Sequence, residues 1–312
     1  MSRRLIKPLA DHALLEAAAP LLRCPHSRAA LAWNPARGAF MAQEPGPGYL
    51  LSGALVDFLA RNAGGDAGAG DASAVNGAGI VAAAFDRFSG SYDHLLTGRN
   101  IFVRMAIRFI WGMEHHTYAA ELMALLPRDF SGVLLDAPAG TGVFTWQAYR
   151  DMPGAVILAL DHSRRMLAQA EERFAVQGVR NALCLRADAA DLPLHDASVD
   201  VVLCMNGLHS FPHKTKTLAE FNRVLKPGGQ LLGSLYVRGR RMLSDILVRR
   251  VFARKNLFSP PLLTAAEFES LLAAQGFRLT LLKGFKSFMV FAARSQEAGP
   301  ERITPDSSPA AA

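Results

Sequence analysis

Leu134-Leu135-Asp136-Ala137-Pro138-Ala139-Gly140-Thr141-Gly142, running directly into the helical pattern 143–149, is the stretch on which the reading of this chain turns. An apolar run ends in an aspartate, turns on glycines and opens a helix. Glycines at such a turn let the backbone approach a ligand closely, and the helix N-terminus beyond offers free N–H groups to a carboxylate or phosphate. Alone, the pattern also fits an ordinary strand-to-helix turn. A second apolar run ends at Asp161, 19 residues after Gly142, where an acidic side chain can hold both hydroxyls of a ribose. Asp161 would otherwise read as a helix cap, but Ser163 suits that role. A third run leads into Ala187-Asp188-Ala189, whose carboxylate and N–H suit either an adenine edge or a solvated loop.

Working outward, short apolar runs at 133–136, 155–160, 182–185, 199–205 and 230–237 alternate with amphipathic stretches such as 163–176 and 214–225. That alternation predicts βαβ units and a parallel sheet. Two further runs, 278–282 and 287–293, are separated by residues too few for a right-handed crossover, so the last strand must run antiparallel. The expected fold is α/β: a doubly wound, seven-stranded, mostly parallel sheet with an antiparallel last strand, over residues 81–294. Residues 62–80 are almost entirely Gly, Ala, Asp, Asn and Ser and predict a flexible linker. They set off a small N-terminal region, 1–61, which is hard to stabilise alone. The Pro-, Ser- and Ala-rich residues 295–312 predict a disordered tail.

The 312 residues are half apolar, enough for a sizeable core, with a net charge of +7. That charge fits nucleic acid, an anionic membrane surface or an anionic substrate equally, and it bears on association rather than fold. No apolar run reaches the roughly 18 residues that a membrane span requires, and residues 1–15 lack an apolar segment with a cleavage site. A cytoplasmic location is the default expectation. Cys24, Cys184 and Cys204 are odd in number and widely spaced, which argues against structural disulfides. Oligomeric state is not legible.

Six ordered motifs resemble the class I S-adenosylmethionine-dependent methyltransferases, and within them the ubiquinone/menaquinone-biosynthesis C-methyltransferase-like (type 11) group. They are Phe85-Asp86-Arg87-Phe88-Ser89-Gly90-Ser91-Tyr92-Asp93, LLDAPAGTG at 134–142, DHSRRML at 161–167, ADAADLPLHDASVDVV at 187–202, MNGLHSF at 205–211 and RVLKPGGQL at 223–231. The resemblance spans roughly 85–293 and implies a Rossmann-like methyltransferase fold, S-adenosyl-L-methionine as cofactor and a small-molecule acceptor, in biosynthetic or secondary metabolism. It implies that Asp136, Ala137 and the Gly140-Thr141-Gly142 turn cradle the methionine part and that Asp161 binds the ribose. Met166 or His162 would pack near the adenine, Asp188 with Ala189 would contact its amine, and Asn206 would complete the cofactor contacts. Tyr92 would close over the cofactor, although Ser89 stands where the family pattern prefers alanine. A nicotinamide site would want a third glycine or alanine where this chain has Thr145.

Methyl transfer from a sulfonium is an in-line displacement, so positioning in a dry pocket carries much of the catalysis. Where a base is needed, His209, just past the fourth strand, matches a position often histidine in related enzymes; the alternative is a polar residue capping the loop before Phe211. His115 and His116, beside Trp111, and Tyr236 are further candidate pocket walls, each also readable as an ordinary helix-face or loop residue. In the N-terminal region, Leu21-Leu22-Arg23-Cys24-Pro25-His26 and Gly48-Tyr49-Leu50-Leu51-Ser52-Gly53 resemble the small zinc-ribbon-like domain beside some RNA and protein methyltransferases. A structural zinc needs four ligands, and Cys24 and His26 supply two, so a degenerate, docked domain without metal is expected. This resemblance supports a second reading, a ribosomal RNA base methyltransferase using Arg238, Arg240, Arg241, Arg249, Arg250, Arg254 and Lys255. The same residues, interleaved with Met242, Leu243, Ile246, Leu247, Val248, Val251 and Phe252, also fit the solvated face of an amphipathic helix. A third reading is a non-catalytic S-adenosylmethionine-binding protein.

Overall fold

The computed structural model describes residues 10–42, 47–60, 77–97, 120–126 and 129–296. Residues 62–76 of the expected linker, the tail from 297, Trp111, His115 and His116 lie outside the described residues.

The glycine-turn stretch forms the centre of the sheet. Strand β5 (Val133–Asp136) lies between β6 (Val156–Asp161) and β8 (Val199–Met205), parallel to both. β7 (Ala182–Arg186) extends the sheet beyond β6, and β9 (Leu225–Tyr236) extends it beyond β8. β11 (Phe288–Ser295) runs antiparallel between β9 and β10 (Phe277–Phe285). The central strands are near-continuous apolar runs because both of their faces are buried, Leu135, Leu158 and Leu183 in one hydrophobic cluster and Leu134, Ile157 and Val201 in another, as a parallel sheet requires. Strand order reverses between β5 and β8, and the crevice at their carboxyl ends is where such sheets take ligands.

The expectation of seven strands needs correction, because the sheet has 11. The four additional strands are β1 (Leu31–Asn34), β2 (Ala39–Ala42), β3 (Gly48–Ser52) and β4 (Leu55–Asp57), all from the N-terminal region. β1, β2, β3 and β4 form an antiparallel meander, and β4 joins β7 in parallel, Leu55 opposite Cys184, Val56 opposite Leu185 and Asp57 opposite Arg186. The physical reason is the edge: β7 would otherwise end a parallel sheet with a row of unpaired backbone groups. A second pairing, Leu22 with Leu194, ties the segment to the chain beyond β7. Leu14, Leu22, Phe40, Tyr49 and Val56 share one buried cluster with Leu158, Leu160, Leu183 and Leu185. Burying each such side chain contributes roughly 1.5 to 3 kcal/mol, so this segment packs as part of the core.

The helices are α1 (His12–Ala18), α2 (Gly77–Thr97), α3 (Trp146–Asp151), α4 (Arg164–Gln177), α5 (Lys214–Val224), α6 (Met242–Leu247) and α7 (Ala265–Ala274). α4 shows how local sequence fixes an element beside the crevice. Ser163 caps it by accepting Met166 N–H at 3.0 Å, and Gly178, at φ 73°, ends it in the left-handed conformation. Met166, Leu167, Ala170 and Phe174, at helical spacing, are buried beneath it. Cys24 is buried with its thiol 3.2 Å from the Tyr49 hydroxyl. Among the described residues no cluster of three or more His, Cys, Asp or Glu is arranged to hold a metal, and no helix is long and apolar enough to cross a membrane.

Candidate active site

Each of the strands β5 to β8 delivers a polar residue from its carboxyl end, or the turn just after it, to one cleft of about 1040 Å³ of empty space including its open mouth. From β5 comes Asp136, 1% exposed. The Tyr149 hydroxyl, buried on α3, donates to its Oδ2, while Oδ1 has no hydrogen-bond partner among the described residues. Burial, with the nearby Asp161 carboxylate, pushes the Asp136 carboxyl up to about 7 against the opposing Tyr149 hydrogen bond.

The turn after β5 folds back onto β6. Gly140, at φ 56°, donates its N–H to Asp161 Oδ2 at 2.9 Å, and nothing stands within 4 Å of where a Cβ would lie. Gly142 is a glycine for another reason. At φ 65°, a Cβ there would sit 2.6 Å from the Phe174 ring of α4, and Gly142 is not among the residues lining the cleft. Ala137 is fully buried and does not line it either. Thr141 does, and its carbonyl accepts Arg173 Nε at 3.0 Å.

Asp161 accepts Ser163 N–H at 2.8 Å as well as Gly140 N–H, so one carboxylate shapes both its own turn and the neighbouring one. Burial pushes its carboxyl up to about 6, opposed by those N–H groups and reinforced by Asp86. Asp188, beyond β7, accepts Ala190 N–H at 2.8 Å and faces the cleft beside Ala187 and Ala189. Asn206, beyond β8, is held at φ 55° by its N–H on the Ser234 carbonyl at 3.0 Å and by the Ser234 hydroxyl on its Oδ1 at 3.0 Å. His162 and Met166 line the same cleft.

The roof is α2, which contributes Ala78, Val81, Ala82 and Phe85 to the lining and is fastened to α4 by the Ser163 hydroxyl donating to Asp86. Tyr92 falls on α2, but its side chain lies outside the description. The lining also includes the apolar and aromatic Phe144, Met205 and Phe211, together with the exposed His213 and the buried Thr217.

The structure does not bring His209 to the cleft. It is 5% exposed, its Nδ1 accepts Tyr236 N–H at 3.1 Å, and its ring packs 4.2 Å from Phe258 and 5.8 Å from Phe288, centroid to centroid. Burial, with Lys214 nearby, lowers its pKa to about 3. It is a neutral imidazole built into the protein interior, which corrects the expectation of a base there. Tyr236 is likewise 1% exposed, donates to Asp245 and lines no part of the cleft. The stretch 238–255 also contributes nothing to the lining: Arg238 pairs with Glu267 at 2.6 Å, and Met242, 75% exposed, points outward. Sequence reading missed Phe85 as a wall, Ser210, and His213 with Thr217. The last pair carried a usable signal, since residues four apart at the start of a helix share a face.

Residues 134–229 match a methyltransferase domain family. The chain is 33% identical over 141 residues to an uncharacterised chloroplast methyltransferase of Arabidopsis thaliana, covering 41% of this chain and 38% of the relative. It is 38% identical over 100 residues to the ubiquinone/menaquinone biosynthesis C-methyltransferase of Desulfotalea psychrophila, covering 32% of this chain and 39% of that one. The chain therefore spans well under two thirds of the length of these relatives. A phosphoethanolamine N-methyltransferase of Haemonchus contortus, solved with phosphomonomethylethanolamine and S-adenosylhomocysteine, superposes with a TM-score of 0.53 at 18% identity, covering 70% of this chain and 61% of that one. At that identity the likeness is one of fold.

Proposed function

We propose that residues 134–229, which match a methyltransferase domain family, belong to a class I S-adenosylmethionine-dependent methyltransferase domain and that this chain transfers a methyl group from S-adenosylmethionine to a small-molecule acceptor. One observation carries the proposal: three successive strands each present an aspartate to one cleft, Asp136, Asp161 and Asp188 in chain order. The donor set suits the cofactor. Asp136 is a buried carboxylate whose Oδ1 makes no hydrogen bond of ordinary geometry among the described residues, the Thr145 hydroxyl being its nearby neighbour, which leaves it suited to the ammonium of the methionine moiety. Asp161 keeps acceptor capacity after taking two backbone N–H groups and suits a pair of ribose hydroxyls. Asp188 suits an exocyclic amine, with His162 and Met166 as flanking walls, and Gly140 leaves room where the backbone meets the ligand.

When bound, the cofactor supplies an electrophilic methyl on a sulfonium. The chain's residues supply position and dryness. Phe144, Met205, Phe211 and the α2 residues Val81 and Phe85 form apolar walls that exclude water and favour an apolar or planar acceptor. His213, an exposed imidazole in the lining of the same cleft, would take the proton from an acceptor that must lose one. The phosphoethanolamine enzyme and the quinone-biosynthesis relative act on small molecules by their names, which supports the acceptor class. Incubation with methyl-labelled S-adenosylmethionine and fractionated extract tests the reading. Label entering a low-molecular-weight fraction is expected. Label confined to RNA, or none despite tight S-adenosylhomocysteine binding, would refute it.

A further inference from the structure

The N-terminal strand does more than cover an edge. Asp57, the last residue of β4, lies opposite Arg186, the last residue of β7, and Phe58 N–H donates to the Arg186 carbonyl at 2.9 Å. The side chains pair as well, Arg186 Nη1 to Asp57 Oδ2 at 3.1 Å, with 11% and 14% exposure. From the same guanidinium, Nε donates to the carbonyl of His162, just past the tip of the neighbouring β6, at 3.1 Å. His162 follows Asp161 at one tip, and Arg186 precedes Ala187-Asp188-Ala189 at the next. One guanidinium therefore ties together the two strand tips that line this end of the cleft, and Asp57 holds the guanidinium.

The Asp57 carboxylate is itself fixed, its Oδ1 accepting Leu59 N–H at 3.0 Å and Ala60 N–H at 2.9 Å. The same segment grips the flanks of this region. Ala54 N–H donates to the buried Glu171 of α4 at 2.6 Å. Arg23 N–H donates to the Pro193 carbonyl at 3.1 Å, and His195 N–H to the Leu21 carbonyl at 2.9 Å, so the loop after Asp188 is held at its far end too. A planar guanidinium is suited to this bridging because its donors diverge in a fixed fork, and a partly buried ion pair of this kind keeps one geometry.

We propose that Asp57, acting through Arg186, is a positioning residue for the 162 and 187–189 walls of the cleft, so that the N-terminal segment is a working part of the ligand site. This rests on the reading of the cleft as a cofactor site. Asp57 touches no ligand in this scheme; it sets where His162 and Asp188 stand.

The test uses the full chain, with Asp57→Asn and Asp57→Glu compared with wild type in two assays. Calorimetry with S-adenosylhomocysteine is expected to show Asp57→Asn binding at least tenfold more weakly and Asp57→Glu within threefold of wild type. Hydrogen exchange of the ligand-free protein is expected to show amides of 187–191 exchanging at least tenfold faster in Asp57→Asn, with amides of β8 and β9 unchanged. A role confined to stability would instead accelerate exchange throughout the sheet. Wild-type affinity in Asp57→Asn, or uniformly raised exchange, overturns the proposal. Should Asp57→Asn not fold, Arg186→Lys answers the same question. It keeps the charge beside Asp57 but cannot also serve the His162 carbonyl, so weakened binding with a locally mobile 187–191 loop is expected, and wild-type behaviour overturns the proposal. If wild-type protein fails to bind S-adenosylhomocysteine, the cofactor reading falls, while the exchange assay still decides whether Asp57 holds the loop.

Discussion

Asp161→Asn separates the two duties that the structure gives this carboxylate. In the ligand-free protein its two oxygens accept Gly140 N–H at 2.9 Å and Ser163 N–H at 2.8 Å. Asparagine has one acceptor oxygen, so its NH₂ group must face one of those donors or turn toward the ligand, and the charge is gone. A hydrogen bond to a charged group is worth about 1.5 to 3 kcal/mol. Losing one such contact to the ribose should weaken S-adenosylhomocysteine binding about 10- to 150-fold at pH 7. Calorimetry reads this directly, and a change below about threefold would remove Asp161 from the site. A pH series supplies a second check. The folded pKa of about 6 stands above the ordinary 3.8, so the folded chain holds this proton more tightly than the unfolded chain. Its stabilising contribution is therefore complete below about pH 4 and is lost as pH rises through about 6, by up to about 3 kcal/mol. The stability of wild type relative to Asp161→Asn should fall between pH 4 and 6 and then level, whereas wild-type ligand affinity should rise as pH passes 6. A stability gap that widens with pH in favour of wild type would mean that the carboxylate is stabilised by its N–H partners more than it is penalised by burial.

Five further variants have defined expected outcomes. Gly142→Ala combines a left-handed backbone with a 2.6 Å collision against Phe174 and should cost roughly 2 to 5 kcal/mol in urea unfolding. Gly140→Ala carries only the backbone strain, about 1 to 2 kcal/mol, and should show itself chiefly as weaker S-adenosylhomocysteine binding; equal stability losses would refute the distinction. His209→Ala should lower stability by about 3 kcal/mol, as for other large buried rings, yet leave turnover per folded molecule within a few-fold. His213→Gln should do the reverse, lowering turnover on a proton-losing acceptor by about 10²-fold, as measured with labelled methyl donor. Tyr149→Phe deletes the hydroxyl donating to Asp136 and so should raise the Asp136 pKa above about 7. Its ligand affinity should drop at pH 7 and recover toward wild type near pH 9, and a loss independent of pH would refute this.

That three aspartates would meet in one cleft was legible because the information is local. Asp136, Asp161 and Asp188 each follow a buried apolar run, and in a parallel sheet the tip of every such run faces the same crevice. The N-terminal strand was not legible for the opposite reason. Leu55-Val56-Asp57 is only three residues long, too short to show an alternation, and its partner β7 lies more than 120 positions away. A glycine-rich stretch of chain also stands between them, and composition alone made that stretch look like a domain boundary.

The histidines mark the limit of reading position along the chain. His209 lies nearer the tip of β8 than His213 does, and by spacing it is the better candidate. Its direction is decided by partners from outside its own segment: the Tyr236 N–H at the end of β9, and Phe258 and Phe288 from beyond α6. Ser259 N–H on the His209 carbonyl at 2.9 Å and Lys214 Nζ on the Ser259 carbonyl at 2.6 Å close the same knot. Those contacts turn the nearer histidine inward. Lys214, which belongs to that knot, is also the first residue of α5, and His213 at the helix cap and Thr217 one turn on both line the cleft. The buried imidazole thus shares one hydrogen-bonded knot with the first residue of the helix that the exposed one caps. For this reason a His209 variant that still folds should loosen the start of α5, read as faster amide exchange near Lys214, while turnover per folded molecule stays within a few-fold and S-adenosylhomocysteine affinity is unchanged; a loss of turnover as large as that expected for His213→Gln would refute this.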